Sequence, residues 1–327
     1  MKDFKLAEPK SLLQAAAFLA GEEGRATPIA GGTDLLGLLK EGIVEPETVV
    51  DLAAVPGLAG FRMSRDGMHI GALMAVTDLA AEPTVKQAFP VLHQAANAVG
   101  SPQLRNMGTV GGNLCQRPRC WYFRDLRTVC RKKGGGVCFA VMGRNRYHAI
   151  LGASVCHMVY PSDLAPALIS LDAKVTIVSP KGERRLPLES FYALPSVDVR
   201  RENVLLPGEL LSEVVVPVPA PGTRSAYLKF MERGAWDFAV VSAAATATLS
   251  GKRVEDVRLV MGGVAPVPWR LEPAEALLRG KPLSEASIRA ALAEGLRNAK
   301  PMSENAYKID LAKVVAGRAL ASLTART

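Results

Sequence analysis

Four cysteines, Cys120, Cys130, Cys138 and Cys156, fall in one short segment with the spacing C-x9-C-x7-C-x17-C. A thiol can be a nucleophile, a disulfide partner or a metal ligand, depending on number and setting. Five cysteines in 327 residues are too few, and odd in number, for a disulfide framework. Four ligands with Cys115 as a spare is the simpler reading. Structural zinc sites typically use CxxC-like pairs, and the chain has none, whereas four well-spread thiolates can wrap a cuboidal [4Fe–4S] core. The spacing therefore favours an iron–sulfur cluster; zinc, or no metal, are the alternatives. His148 lies among these cysteines and is expected to hydrogen-bond, since four thiols already suffice.

Two glycine loops could hold a large anion. PIAGGTDLL (28–36) reads as a strand, a tight turn and a helix start. The amides of Gly31, Gly32, Thr33 and Asp34 can point at a phosphate from the helix N-terminus, and Asp34 can alternatively serve as a plain helix cap. RNMGTVGGN (105–113) supplies Gly108, Thr109, Gly111, Gly112 and Asn113, small positions with hydroxyl and amide donors. Neither loop is GxGxxG or GxxxxGK[ST], so the Rossmann and P-loop readings are poor. Two such loops separated by some 75 residues suggest an extended dinucleotide held along its length. No Ser-His-Asp, HExxH or paired-carboxylate set stands out, and no catalytic residue is assigned.

The elements that must position these residues can be read in outline. Phe4 and Leu6 suggest a strand, followed by a helix from Pro9 to Leu19, a strand at Thr27–Ala30, a helix at Asp34–Lys40 and a strand at Thr48–Leu52. This βαβαβ order predicts a small parallel sheet. Residues 68–80 read as a strand leading into a helix, and 90–99 as a helix. Residues 175–180 and 183–191 read as a hairpin turning at Lys181-Gly182, and 208–219 close the block. After a PAPG linker (219–222), segments 225–233, 238–251 and 255–265 predict three antiparallel strands; 273–279, 284–297 and 305–323 predict helices.

The chain is 49% hydrophobic, enough for a full core. No apolar run reaches the roughly 20 residues of a membrane-spanning helix. The start, MKDFKLAEPK, lacks the apolar stretch of a signal peptide, so the chain is expected to be cytoplasmic, or periplasmic if exported with a partner. The net charge of +9 is local: residues 105–146 carry ten Arg or Lys against one acid, Asp125, and the remainder is balanced. Such a segment is a solvated loop, a counterweight to bound negative charge, or a face for an acidic partner. Aromatics make up 6% of the chain and no groove-reading motif accompanies the charge, so no nucleic-acid role is expected.

AGGTDL (30–35), IGALMAVTDL (70–79), SPQLRNMGTVGGNL (101–114), PSDLAPAL (161–168) and GELLSEVVVP (208–217) occur in this order. Together they resemble the FAD-binding subunit of the xanthine dehydrogenase family of molybdenum hydroxylases, over essentially the whole chain. The resemblance implies an α+β fold: a two-part FAD-binding domain of the PCMH, vanillyl-alcohol-oxidase-like type, then a three-stranded antiparallel sheet with helices. The domains would be 1–218 (subdomains 1–54 and 55–218, with a cluster-binding insert at about 115–157) and 219–327, the latter like the C-terminal domain of CO dehydrogenase flavoproteins.

By the same resemblance, the FAD pyrophosphate would rest on Pro28, Ile29, Ala30, Gly31, Gly32, Thr33, Asp34 and Leu35. Ser101, Gly108, Thr109, Gly112 and Asn113 would bind the flavin nucleotide. Asp163 would take ribityl or ribose hydroxyls, Lys229 the pyrimidine edge of the ring, and Leu211 an apolar flavin contact. Cys115 would lie beside the flavin. The insert, with RCWYFRD (119–125), CRKKGGGVC (130–138) and NRYHAILG (145–152), is similar to those of FAD/[4Fe–4S] subunits in bacterial periplasmic-type aldehyde oxidoreductases. Implied partners are a small subunit with [2Fe–2S] clusters and a large molybdopterin subunit, in a heterotrimer or its dimer. The chain would pass electrons from the [2Fe–2S] clusters through FAD to an external acceptor. Alternatives are the beta subunit of a 4-hydroxybenzoyl-CoA reductase-like enzyme, whose insert spaces its last two ligands more closely, and a free-standing flavin oxidase.

Overall fold

A computed structural model describes residues 1–21 and 25–324. The N-terminal part is a three-stranded parallel sheet of β1 (Lys5–Ala7), β2 (Ala26–Ile29) and β3 (Thr48–Asp51), ordered β1-β3-β2. Helices Leu12–Gly21 and Leu35–Lys40 make the crossovers that parallel neighbours require. Ala15, Ala16 and Leu19 of the first helix pack with Val50, Leu52, Val55 and Leu58, so the expected βαβαβ unit has its own small core. That helix starts at Leu12, after Pro9, rather than at the proline.

The second part is a five-stranded antiparallel sheet of β4 (Phe61–Ser64), β5 (Gly67–Gly71), β6 (Lys174–Ser179), β7 (Gly182–Pro187) and β8 (Leu210–Val216). The strand order is β4-β5-β8-β6-β7. The hairpin closes one residue earlier than expected, with Ser179 opposite Gly182. Short helices Val76–Ala81, Pro83–Ala88, Pro90–Asn97, Val110–Cys115 and Leu164–Ser170 share its core, and Pro102–Met107 lies outside it with no buried residue. Every residue of Leu164–Ser170 is buried, which explains a sequence with no polar face there.

The third part corrects one expectation. Its antiparallel sheet has four strands, β9 (Thr223–Phe230), β10 (Val241–Ser250), β11 (Arg253–Gly262) and β12 (Trp269–Arg270), not three. The extra strand is two residues pairing with Val260 and Met261, too short to show a period and preceded by Pro266 and Pro268. Helices Glu272–Leu278, Glu285–Gly295 and Tyr307–Ser322 complete the core against the small side chains of β10, of which Ala243, Ala245 and Ala247 are buried.

Among the described residues, no helix is long and apolar enough to cross a membrane.

Candidate functional site

Two glycine turns meet at the centre of the site. The first leaves β2 at Ala30 and enters the helix Leu35–Lys40. Gly31 there has no room for a side chain: a Cβ would fall on the carbonyl oxygen of Met107, in the second turn. Gly32 is left-handed at φ 70°, a conformation glycine adopts without steric cost. In the second turn the Thr109 hydroxyl accepts the Gly112 N–H at 3.1 Å and caps Val110–Cys115. Gly111 is pressed on Ala72 and donates its N–H to the Ala72 carbonyl at 2.7 Å. Loops distant in sequence thus form one wall.

A cavity opens on each side of this wall. One, of about 340 Å³, is lined by Pro28, Ala30, Gly31, Gly32, Thr33, Asp34 and Leu35, by Thr109, Gly112 and Cys115, and by Leu211 of β8. The other, of about 270 Å³, is lined by Thr33, Asp34, Gly108, Thr109, Gly112, Asn113 and Asp163. Thr33, Asp34, Thr109, Gly112 and Gln116 border both, so the cavities form a groove across the two turns. Burial pushes the Cys115 thiol up to about 12, which keeps it protonated and unreactive at neutral pH.

Three expected residues line neither cavity: Ile29, Ser101 and Lys229. Ser101 caps the helix Pro102–Met107, accepting the Leu104 N–H. The Lys229 ammonium is buried and donates to Asp163 Oδ2 at 2.8 Å and to the Ala98 carbonyl at 2.9 Å. Asp163 Oδ1 accepts the Tyr227 hydroxyl at 2.6 Å. Asp163 stands at the N-terminus of the helix Leu164–Ser170 without making a side-chain capping bond, its carboxylate being given to Tyr227 and Lys229. Burial pushes the Asp163 carboxyl up against the opposing pull of Lys229.

The four cysteines converge. Cys120, Cys130, Cys138 and Cys156 line one small cavity with Tyr122, Phe123, Lys132, Phe139, His148 and Met158. All five thiols of the chain are free. The Cys138 thiol is pushed down by the hydrogen bond from Cys156, and Cys156 is pushed up by donating it. His148 Nε2 lies 3.3 Å from Cys120 Sγ, and burial pushes this imidazole down to about 4, leaving it neutral at physiological pH. Among the described residues, no group of three or more His, Cys, Asp or Glu is close enough for a single metal ion. A [4Fe–4S] core is held by four cysteine thiolates. The donor set fits such a core: four thiols, aromatic walls and one buried cation, Lys132, paired with Glu202 at 2.6 Å.

Part of the insert's positive charge turns inward, at Arg117, Arg119, Arg124 and Lys132, while Arg127, Arg131, Arg144 and Arg146 are exposed. Arg119 and Arg124 bond to Asp34, Arg117 and Lys132 to Glu202, and Arg146 to Glu232. Gln116 and Arg117, which line the larger cavity, were missed in the sequence, although they directly continue the GGNLC run.

Residues 2–219 match the family described as the FAD binding domain in molybdopterin dehydrogenase, and residues 226–323 match the CO dehydrogenase flavoprotein C-terminal domain. The chain is 41% identical over 267 residues to the aldehyde oxidoreductase FAD-binding subunit PaoB of Escherichia coli, covering 80% of this chain and 82% of that one. It is 28% identical to the carbon monoxide dehydrogenase medium chain of Hydrogenophaga pseudoflava, covering 88% and 84%. Among solved structures, carbon monoxide dehydrogenase from Hydrogenophaga pseudoflava superposes with a TM-score of 0.78 at 26% identity, covering 98% of this chain and 97% of that one.

Proposed function

The chain belongs to the family of FAD-binding subunits of the xanthine dehydrogenase and CO dehydrogenase group, oxidoreductase subunits with FAD on the medium chain, and from that premise we propose that it is the FAD- and [4Fe–4S]-carrying subunit of a molybdenum-containing aldehyde oxidoreductase. The observation that carries the reading is the contact of Gly31 with the Met107 carbonyl, which fuses two amide-rich turns into one wall between two cavities. In this reading the pyrophosphate lies along the first turn, where helix N-terminal amides favour negative charge. Gly108, Thr109, Gly112 and Asn113 border the second half of the cofactor. Asp163, fixed by Lys229 and Tyr227, presents a shaped carboxylate edge to it. Lys229 acts through Asp163 rather than by touching the ring. Leu211 and Cys115 supply apolar wall on the other side.

FAD, when bound, accepts electrons singly or in pairs and releases them either way, which suits a junction between one-electron clusters and an outside acceptor. Cys120, Cys130, Cys138 and Cys156 would hold the cluster. The domain division at about residue 219 follows the same reading. Its partners would be a small [2Fe–2S] subunit and a large molybdopterin subunit. The aldehyde specificity is drawn from the relative named above and belongs to the molybdenum partner.

The test is turnover with and without those partners. The assembled complex should oxidise aldehydes with a redox dye as acceptor, and this chain alone should not. Aldehyde oxidation by the isolated chain would instead favour a free-standing oxidase. Activity of the complex only on an acyl-CoA would favour the reductase reading.

A further inference from the structure

Asp34 sits in the first glycine turn, but its carboxylate is directed to the cysteine insert. Oδ1 accepts from Arg119 Nη1 at 2.6 Å and from Arg124 Nη2 at 2.7 Å, and Oδ2 accepts the Arg117 backbone N–H at 2.7 Å. It makes no capping bond to its own helix. Arg124 is held in turn by the Pro118 carbonyl at 2.8 Å, lies over the Phe123 ring, and lines neither cavity of the groove. Just beyond the turn, Leu38 packs on Phe123 and Cys130, with Ile43, Val44 and Cys120 around them. Two cluster ligands in the proposed reading, Cys130 and Cys120, are thus in the same apolar cluster as the helix that follows the phosphate turn.

We propose that Asp34 and Arg124 form a clasp through which the cysteine insert holds the first glycine turn in its flavin-binding shape, so that FAD retention depends on the insert being folded around its inorganic core. The inference rests on the cluster reading above and goes beyond it. The insert has little regular structure of its own: a four-residue helix, Trp121–Arg124, and a three-residue turn of 3₁₀ helix, Arg131–Lys133. Segments of this kind depend on their metal for order. A loosened insert withdraws three donors from Asp34 at once. An uncompensated carboxylate is then left beside the site meant for a diphosphate, where it repels the ligand. Linkage makes the effect reciprocal: FAD stabilises the loaded insert by the same factor.

The experiment measures FAD affinity on the full chain, with and without iron, for the wild type and Arg124→Gln. Iron removal from the wild type should weaken FAD by about 5- to 150-fold, the usual span of coupling between two sites. Arg124→Gln should weaken it by less with iron present, since Arg119 and the Arg117 N–H still hold Asp34, and removing iron from that variant should weaken FAD by less than it does in the wild type, because both lesions act on the same clasp. Amide exchange across residues 30–40 of the unmodified chain gives a reading free of any folding defect in the variant, and should quicken when iron is stripped. Equal FAD affinity in loaded and stripped wild type, fully additive effects, or unchanged exchange would each overturn the clasp. A chain that never contains iron defeats the cluster reading instead. The clasp is then decided by Arg124→Gln against wild type alone: weakened FAD supports it and unchanged FAD overturns it.

Discussion

Gly31 is the residue on which the two turns depend, because its missing side chain is what lets the Met107 carbonyl approach. Gly31→Ala forces backbone against Cβ, and the turn can relieve the clash only by moving away from the second loop. Overpacking of this kind costs roughly 1–3 kcal/mol. The expected outcome is a lowered melting temperature together with FAD lost on gel filtration, both measurable on the same sample. Gly136→Ala is a fitting control, since a Cβ there meets nothing within 4 Å. At this scale the sequence was only partly informative. The glycines, Thr109 and the four cysteines announced themselves by type and spacing. The occupation of Asp34 by arginines, and of Lys229 by Asp163, did not, because an ion pair between residues 66 or 90 positions apart leaves no local pattern.

At the scale of elements, the C-terminal helix Tyr307–Ser322 anchors the far end of the insert. Lys308 is fully buried at its first turn, and its ammonium donates to the carbonyls of Tyr147 at 3.0 Å, His148 at 3.1 Å, and Gly263. Asn305 adds a side-chain bond to the His148 carbonyl at 3.0 Å. Lys308→Met should destabilise the protein by roughly 1–3 kcal/mol for each carbonyl left unpaired. Burial pushes the Lys308 amine down from 10.5 to about 7. Between those values the unfolded chain holds more protons than the folded one, so stability gains with rising pH. The wild type should therefore pull ahead of Lys308→Met as pH rises from about 7 toward 10, followed by melting temperature. A gap that narrows over that range contradicts the assignment. The main helices and strands were legible from period and punctuation, including the parallel βαβαβ unit. Strand β12 was not, since two residues carry no period. Nor was the insert's fold, which is organised by side-chain contacts to distant elements rather than by backbone ladders.

For the whole molecule, charge and architecture agree. The positive segment at 105–146 would repel itself if left solvated, and half of its ten cations meet Asp34, Glu202 and Glu232 from three other regions of the chain. The insert is therefore built into the body of the flavoprotein, between the first glycine turn and the C-terminal helix. Asp34 lines the groove and binds Arg119 and Arg124 of the insert, which joins the insert to the groove.

Anaerobic purification followed by a visible spectrum, with flavin, iron and sulfide determined on the same sample, tests this account most directly. The account predicts flavin bands over a broad iron–sulfur absorbance, about one FAD and about four irons with four sulfides per chain, and loss of the broad band in Cys130→Ser. A flavin-free chain, or an iron–sulfur band that survives the Cys130 substitution, would contradict it.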